Sequence, residues 1–166
     1  MKSPSIAYGF FIILGSYLHA FSASAANTHV HGQGEMLISQ EHNRWQILLT
    51  LPAADMLGFE HMPETEAQRQ KLERVAKQLE NNRQLLELNG QCSVVKAEHN
   101  LKNVKHGGHG HHDISISYTL DCESRVTQIQ VLFFEWVATD LVKAQWVLEQ
   151  GQGTQHVTPA NPNINW

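Results

Sequence analysis

The sequence predicts an α+β fold in which a mostly antiparallel sheet packs against one long amphipathic helix. Several segments alternate apolar and polar residues, the pattern typical of strands, on both sides of the chain's centre. Only residues 65–90 show helical spacing of apolar residues over several turns. Two cysteines flank a histidine-rich segment, residues 99–113, which adds one disulfide and one His-rich loop to this plan.

The first 25 residues have the composition of a secretory signal peptide. Lys2 precedes the apolar run IAYGFFIILGSYL, which is too short to span a bilayer, and the small residues SASAA follow. Cleavage is expected after Ala25 or after Ala26. Residues 26–166 are then expected to form a single exported domain with no stable membrane anchor.

The first elements of this domain are a predicted β-hairpin. HVHGQGEMLISQ alternates from His29, which would place His29 and His31 on the same face of a strand. After a polar turn at 41–43, RWQILLTLP is a second, more buried strand. Residues 52–63 are expected to form an irregular connection.

The helix has the clearest local signals in the chain. Thr65 and Gln68 have the spacing of a capping box at its start. Asn89 and Gly90 are a typical stop. An apolar stripe is formed between them by Leu72, Val75, Ala76, Leu79 and Leu86. We expect this stripe to cover one face of the sheet.

The second half of the chain predicts further strands. CSVVKA is one, and DISISYTLDC is another whose core-facing residues are Ile114, Ile116, Tyr118 and Leu120. VTQIQVLFF fits either a strand or a helix. KAQWVLEQGQGTQHVTP indicates a last strand or hairpin with a turn at 151–153, and the tail ANPNINW has little pattern.

Cys92 and Cys122 are the two cysteines of the chain. In an exported protein such a pair predicts a disulfide, because the compartment is oxidising. The bond would close a loop of about thirty residues and contribute about 3.5 kcal/mol to stability. Paired cysteines would then be unavailable as thiolate metal ligands or as nucleophiles.

Histidines are the most unusual feature of the composition. Of the 11 histidines, all but His19 follow the predicted signal peptide. Imidazole is mostly unprotonated at neutral pH and binds Zn²⁺, Cu²⁺ and Ni²⁺. In KHGGHGHHD the glycines free the backbone, so that neighbouring rings can converge on one ion. The histidines of this segment are His106, His109, His111 and His112. The pattern therefore predicts transition-metal binding, without deciding among the three metals.

Three candidate metal sites follow from the sequence. One is the pair His29 and His31, for which a solvated strand end is the alternative. The second is the His-rich loop, with Asp113 either as a ligand or as an acceptor that orients a ligand histidine. The third is His61 beside Glu60, where an ordinary surface position is the alternative. We expect a rigid site and a more labile loop.

The net charge argues against some partners. It is −4, and removal of the segment that carries Lys2 makes it one unit more negative. A mildly acidic protein of this kind is a poor match for nucleic acid or an anionic membrane.

Several motifs together resemble one known family. They are HVHG, LPAADMLGFEHMPETEAQ, the two cysteines around a His-rich segment, HHDISISYTLDC and EQGQG. These resemble the zinc-regulated periplasmic proteins, the ZrgA-like family, over nearly the whole chain after the signal. The resemblance implies a Gram-negative periplasmic protein, made under zinc limitation, that captures Zn²⁺ and assists its uptake. It also implies a partner, a zinc ABC importer or its periplasmic solute-binding protein.

The resemblance also implies particular ligands. By motif position the candidates are His29, His31, His61, His112 and Asp113. His106, His109 and His111 correspond only to a His-rich loop of variable length.

Two other metal functions are weighed against this one. A metal-dependent hydrolase would fit H-x-H-x-D-H, but Ile114 stands where the last histidine belongs, and H-E-x-x-H is absent, so no catalysis is expected. A copper or nickel protein is the other alternative. Cleavage after Ala26 would put His29 third from a free amine, a known chelating arrangement, and cleavage after Ala25 would remove it.

A structural domain that binds no metal is the remaining alternative. It predicts no change in stability when metal is added, whereas a metal-binding protein is stabilised by its ligand.

Overall fold

The computed structural model describes residues 30–103 and 113–166. The fold is mostly β, with 50% strand and 21% helix. The strands within these ranges are β1 (Gln33–Glu41), β2 (Arg44–Pro52), β3 (Leu86–Leu88), β4 (Cys92–His99), β5 (Asp113–Cys122), β6 (Gln128–Val131), β7 (Leu141–Leu148), β8 (Gly151–Val157) and β9 (Asn163–Asn165). The α-helices are α1 (Ala53–Leu57) and α2 (Glu66–Leu79). Neither of these helices is long and apolar enough to cross a membrane.

Six strands form the larger sheet, in the order β4-β5-β2-β1-β7-β8. Its neighbours are antiparallel except for β1 and β7, which run parallel. The β1–β2 hairpin and the strand β5 confirm the predictions. In β5 the predicted core residues are all buried, namely Ile114, Ile116, Tyr118 and Leu120. Alternation of this kind places one face of the sheet in the core and leaves the other exposed.

The predicted α+β arrangement with one long helix packed on the sheet is wrong. The helix α2 has 14 residues and ends at Leu79. Leu86, assigned to its apolar stripe, lies instead in β3, which joins β6 and β9 in a second, three-stranded sheet. A short apolar run such as LLEL fits a helix or a strand equally well by local pattern. Its pairing with β6, more than 40 residues later in the sequence, decides the outcome.

The start of α2 confirms the predicted capping box. The Gln68 backbone N–H donates to Thr65 Oγ1 over 3.2 Å, and the Thr65 N–H donates to Gln68 Oε1 over 3.1 Å. At the other end, the buried Tyr118 hydroxyl donates to the Leu79 carbonyl over 2.6 Å. Burial raises the pKa of Tyr118 above its ordinary value. This hydrogen bond joins the last turn of α2 to β5.

The segment 52–63, predicted to be irregular, contains α1. Gly58 ends this helix in the left-handed conformation, with φ of +81°, and its N–H donates to the Ala54 carbonyl over 2.7 Å. Glycine adopts this conformation without a steric penalty, which explains its place here. Because the chain reverses at this turn, the next residues, Phe59 to His61, run toward the start of β1.

The C-terminal hairpin differs in detail from its prediction. The β7–β8 turn lies at 149–150, and Gly151 and Gly153 belong to β8. A Cβ atom at Gly153 would collide with the Trp146 indole, so glycine is required by packing rather than by a turn. The tail also has structure, because Trp166 stacks on Trp45 with ring centroids 5.6 Å apart. The ambiguous VTQIQVLFF forms β6 followed by a 3₁₀ turn.

One end of the six-stranded sheet matters for function, and we call it the His31 end. The starts of β1, β5 and β7 and the ends of β2, β4 and β8 meet there. Its terminal strand residues are Gln33, Pro52, His99, Asp113, Leu141 and Val157. β2 lies between β1 and β5, so the starts of β1 and β5 are about 10 Å apart.

Candidate functional site

His31 lies between two carboxylates at the His31 end. Its Nε2 atom is 3.4 Å from Glu60 Oε1, and its Nδ1 atom is 4.0 Å from Asp55 Oδ1. The His31 side chain is 60% exposed, whereas the Asp55 and Glu60 side chains are 6% and 18% exposed. One accessible imidazole thus faces two carboxylates that are held largely inside the protein.

The backbone around His31 differs from the prediction. A strand was expected from His29, but β1 begins at Gln33, and His31 and Gly32 form a turn. Gly32 has φ of +77°, which breaks the alternation before the strand starts. The argument that His29 and His31 share a strand face therefore fails for His31. His29 lies outside the described residues.

Asp55 holds this turn in place. Its Oδ2 atom accepts hydrogen bonds from the Gly32 N–H and from Thr139 Oγ1, both over 2.9 Å. Its backbone carbonyl accepts from the Ala138 N–H over 3.0 Å. The Gly32 carbonyl in turn accepts from the Asp140 N–H over 2.8 Å. Asp55 thereby connects α1, the turn before β1 and the loop before β7.

His61 follows Glu60 but makes different contacts. Its Nδ1 atom lies 2.8 Å from the Met62 carbonyl, which can only accept, so Nδ1 carries the proton. The same atom is 3.8 Å from Glu64 Oε1, and the ring lies 5.6 Å from that of Phe59. In this tautomer Nε2 is the nitrogen of His61 that can bind a metal ion.

Asp113 is the first residue of β5, and its position is fixed by Asn100. The Asn100 side chain donates through Nδ2 to the Asp113 carbonyl over 2.8 Å and accepts from the Ser115 N–H over 3.2 Å. Asn100 belongs to a 3₁₀ turn that follows β4. The last described residues before segment 104–112 are therefore tied to the first residues after it.

A cavity of about 340 Å³ opens at the same end of the sheet. Its lining includes Val30, Glu35, Asp113, Lys143 and His156. Asp113 thus shares a cavity with the residue that precedes His31. A larger cavity of about 790 Å³ on the exposed face is lined without any His, Cys, Asp or Glu, so it is a poor candidate for metal binding.

The predicted loop residues have a mixed outcome. Of the interval 99–113, His99 is the buried last residue of β4, and residues 100–103 form a 3₁₀ turn. The remaining predicted ligands of this segment lie outside the described residues, namely His106, His109, His111 and His112. Over the two ranges that the structure describes, no group of three or more His, Cys, Asp or Glu side chains could hold a metal ion.

The predicted disulfide is present. Cys92 and Cys122 face each other across β4 and β5 and are bonded. They are the first residue of β4 and the last of β5, so they lie at the opposite end of the sheet from His99 and Asp113. The bond therefore joins the two strands at the end far from His99 and Asp113.

Sequence reasoning missed two of the residues around His31. Asp55 was not singled out, and Glu60 was considered only as a neighbour of His61. Their spacing matches no metal-binding motif, because α1 and the Gly58 turn intervene. The signal that could have found them is the pair of acidic residues in PAADMLGFEH, a segment that also contains a glycine able to reverse the chain.

Comparison with known proteins identifies the family. Residues 28–166 match the family described as "ZrgA family zinc uptake protein", which covers all the elements described above. A comparison with curated proteins finds no match. The disulfide and the acidic surroundings of His31 lie within the matched region. This chain belongs to the ZrgA family of zinc uptake proteins.

Proposed function

We propose that the protein captures Zn²⁺ in the periplasm and assists its uptake, without catalysing a reaction. The family match supports the role in zinc uptake. The N-terminal sequence supports export, because residues 1–25 have the features of a signal peptide. The proposed ligands are His29, His31, His61, His106, His109, His111, His112 and Asp113.

The observation that carries this proposal is that the candidate ligands within the described residues, His31, His61 and Asp113, lie toward one end of the sheet. His31 precedes β1, and Asp113 begins β5, whose start is about 10 Å from the start of β1. His61 follows α1, which starts directly after β2 ends at Pro52. Asn103 and Asp113, which flank segment 104–112, also lie at this end. Residues far apart in the sequence are thus brought to the same end of the sheet.

We further propose that the bound ion is passed to a zinc ABC import system or its solute-binding protein. A carrier of this kind needs ligands that exchange with a partner, and exposed imidazoles suit that purpose better than a closed site. His31 and His61 are both more than half exposed. Copper and nickel also bind imidazole, so metal preference is part of the test.

The His-rich segment is expected to supply most of the zinc capacity. Changing His106, His109, His111 and His112 to alanine should lower the zinc stoichiometry by at least one ion and leave a weaker residual site. Isothermal titration with Zn²⁺, Cu²⁺ and Ni²⁺ at pH 7.4 measures both quantities on the disulfide-bonded protein after removal of residues 1–25. Only weak, nonspecific heats with the unchanged protein would contradict the proposal.

Zinc affinity is expected to fall as the pH drops below about 6.5, because an imidazole must lose its proton to bind metal. Titrations at pH 7.4, 6.5 and 5.5 should show a progressive rise in Kd. An affinity that is unchanged at pH 5.5 would point to carboxylate ligands alone. Thermal unfolding with and without zinc gives an independent readout, since a hundredfold excess over Kd stabilises a protein by about 2.7 kcal/mol.

A further inference from the structure

We propose that His31 and Glu60 together bind one transition-metal ion without requiring the imidazoles of the His-rich segment, and that Asp55 positions the His31 ring for this purpose. The inference rests on the proposed function, because it names a particular zinc site within it. The side chains concerned, those of His31, Asp55 and Glu60, all lie within the described residues.

The distance between the two ligand atoms fits a shared ion. In tetrahedral zinc sites the Zn–N and Zn–O distances are about 2.0–2.1 Å, which places two ligand atoms about 3.3 Å apart. His31 Nε2 and Glu60 Oε1 are 3.4 Å apart. An ordinary hydrogen bond between a nitrogen and an oxygen is shorter, about 2.7–3.2 Å. The pair is therefore spaced as two ligands of one zinc ion would be.

Asp55 lies near Nδ1 of the His31 ring, whereas Glu60 lies near Nε2. Its Oδ1 atom is 4.0 Å from Nδ1, the nitrogen that would not bind the metal. In metal sites the second nitrogen of a ligand histidine commonly donates to a carboxylate, which fixes the tautomer and orients the ring. At 4.0 Å this pair is too far apart for a hydrogen bond, so the ring would move about 1 Å toward Asp55 when it binds the ion. Because Oδ2 is already held by Gly32 and Thr139, the Asp55 carboxylate is fixed before any metal arrives.

The burial of the acidic groups favours a cation at this position. Two carboxylates with little exposure face one imidazole, and a carboxylate that is largely removed from water is stabilised by a nearby positive charge. The competing interpretation is an ion pair between a protonated His31 and the two carboxylates. The two interpretations differ in what zinc does to the His31 Nε2 atom.

Among the described residues the site has two protein ligands, in agreement with the absence of a group of three in those ranges. Water molecules would complete the coordination of a tetrahedral ion. A site of this kind binds less tightly than a closed four-ligand site and exchanges its ion readily. Such exchange suits a protein that must release zinc to a partner.

The test uses the full exported chain in which His106, His109, His111 and His112 are alanine, so that the His-rich segment does not obscure the second site. Zinc titrations would compare this background with added Glu60→Gln, Asp55→Asn or His31→Ala. Glu73→Gln is the matched control, since it removes an exposed carboxylate from the middle of α2. Asparagine at 55 keeps an acceptor for Gly32 and Thr139, so the fold is expected to persist.

We expect zinc to bind the background protein, and Kd to rise by at least tenfold with Glu60→Gln or His31→Ala. Asp55→Asn should raise it by about 10- to 100-fold, and Glu73→Gln by less than twofold. Nitrogen-15 NMR should show a zinc-dependent shift of His31 Nε2, while Nδ1 stays protonated. This signature reports the ring itself and would not arise from a loss of stability.

Two results would overturn the inference. One is equal zinc affinity in the background protein and its Glu60→Gln variant. The other is a pair of protonated His31 nitrogens that zinc leaves unchanged, which is the ion-pair result. In either case zinc binding by the unchanged protein would still support the proposed function, so failure of the two ideas can be told apart.

Discussion

Replacing Cys92 and Cys122 by serine is expected to lower the free energy of unfolding by about 3.5 kcal/mol. The bond joins residues 30 positions apart, and loop closure removes conformational entropy from the unfolded chain in proportion to the logarithm of that length. The position of the disulfide in the sheet adds to its effect on stability. β4 is an edge strand whose sheet partner is β5, and the bond joins the two at their shared end.

Urea denaturation of the oxidised protein and of the double serine variant measures this difference. Reduction of the unchanged protein is the matched control and should produce the same loss, whereas the serine variant should not respond to reductant. A loss below about 1 kcal/mol would contradict the prediction. It would mean that the unfolded chain stays compact around 92–122 without the bond.

The same variant separates stability from metal binding. The disulfide lies at the opposite end of the β4–β5 pair from Asp113, and eight to ten residues of strand lie between them. The Asn100 side chain holds Asp113 and Ser115 by hydrogen bonds that do not involve the disulfide. We therefore expect the folded serine variant to bind zinc with a Kd within about threefold of the original.

Local patterns in the sequence were enough to predict the elements whose conformation depends on residues a few positions apart. The capping box at Thr65 and Gln68, the β1–β2 hairpin and the buried face of β5 all follow from spacing over a few positions. The second sheet could not be predicted in the same way. Its strands β3 and β9 have three residues each and are stabilised by pairing with β6, far away in sequence.

The candidate site is divided in the same way, between a residue that local patterns point to and residues that only the fold brings next to it. Histidine enrichment and motif order pointed to His31, and the family match agrees with that resemblance. Nothing local links His31 to Asp55 or Glu60, because their proximity requires the β1–β2 hairpin, the short α1 helix and the Gly58 turn together. The start of β1 was misplaced for a related reason. Alternation in HVHGQGE continues through Gly32, but the positive φ of Gly32 makes the strand begin only after it.

Trp45→Ala is expected to cost about 3–5 kcal/mol in the free energy of unfolding, the usual range for removal of a buried aromatic side chain. Trp45 is 1% exposed and stacks on Trp166, the last residue of the chain. Trp166 is anchored through its indole N–H, which donates to the Val126 carbonyl over 3.1 Å. The substitution therefore opens a cavity between the two sheets and loosens the C-terminal strand.

Val147→Ala is the matched control, since it also shortens an apolar side chain of the large sheet but at a position that is 62% exposed. It should change stability by less than about 0.5 kcal/mol. Urea denaturation followed by circular dichroism measures both variants. A cost below about 1.5 kcal/mol for Trp45→Ala would show that the tail contributes little to the core. Because Trp45 lies near the start of β2 and the His31 end lies at its finish, zinc affinity of the folded variant should stay the same.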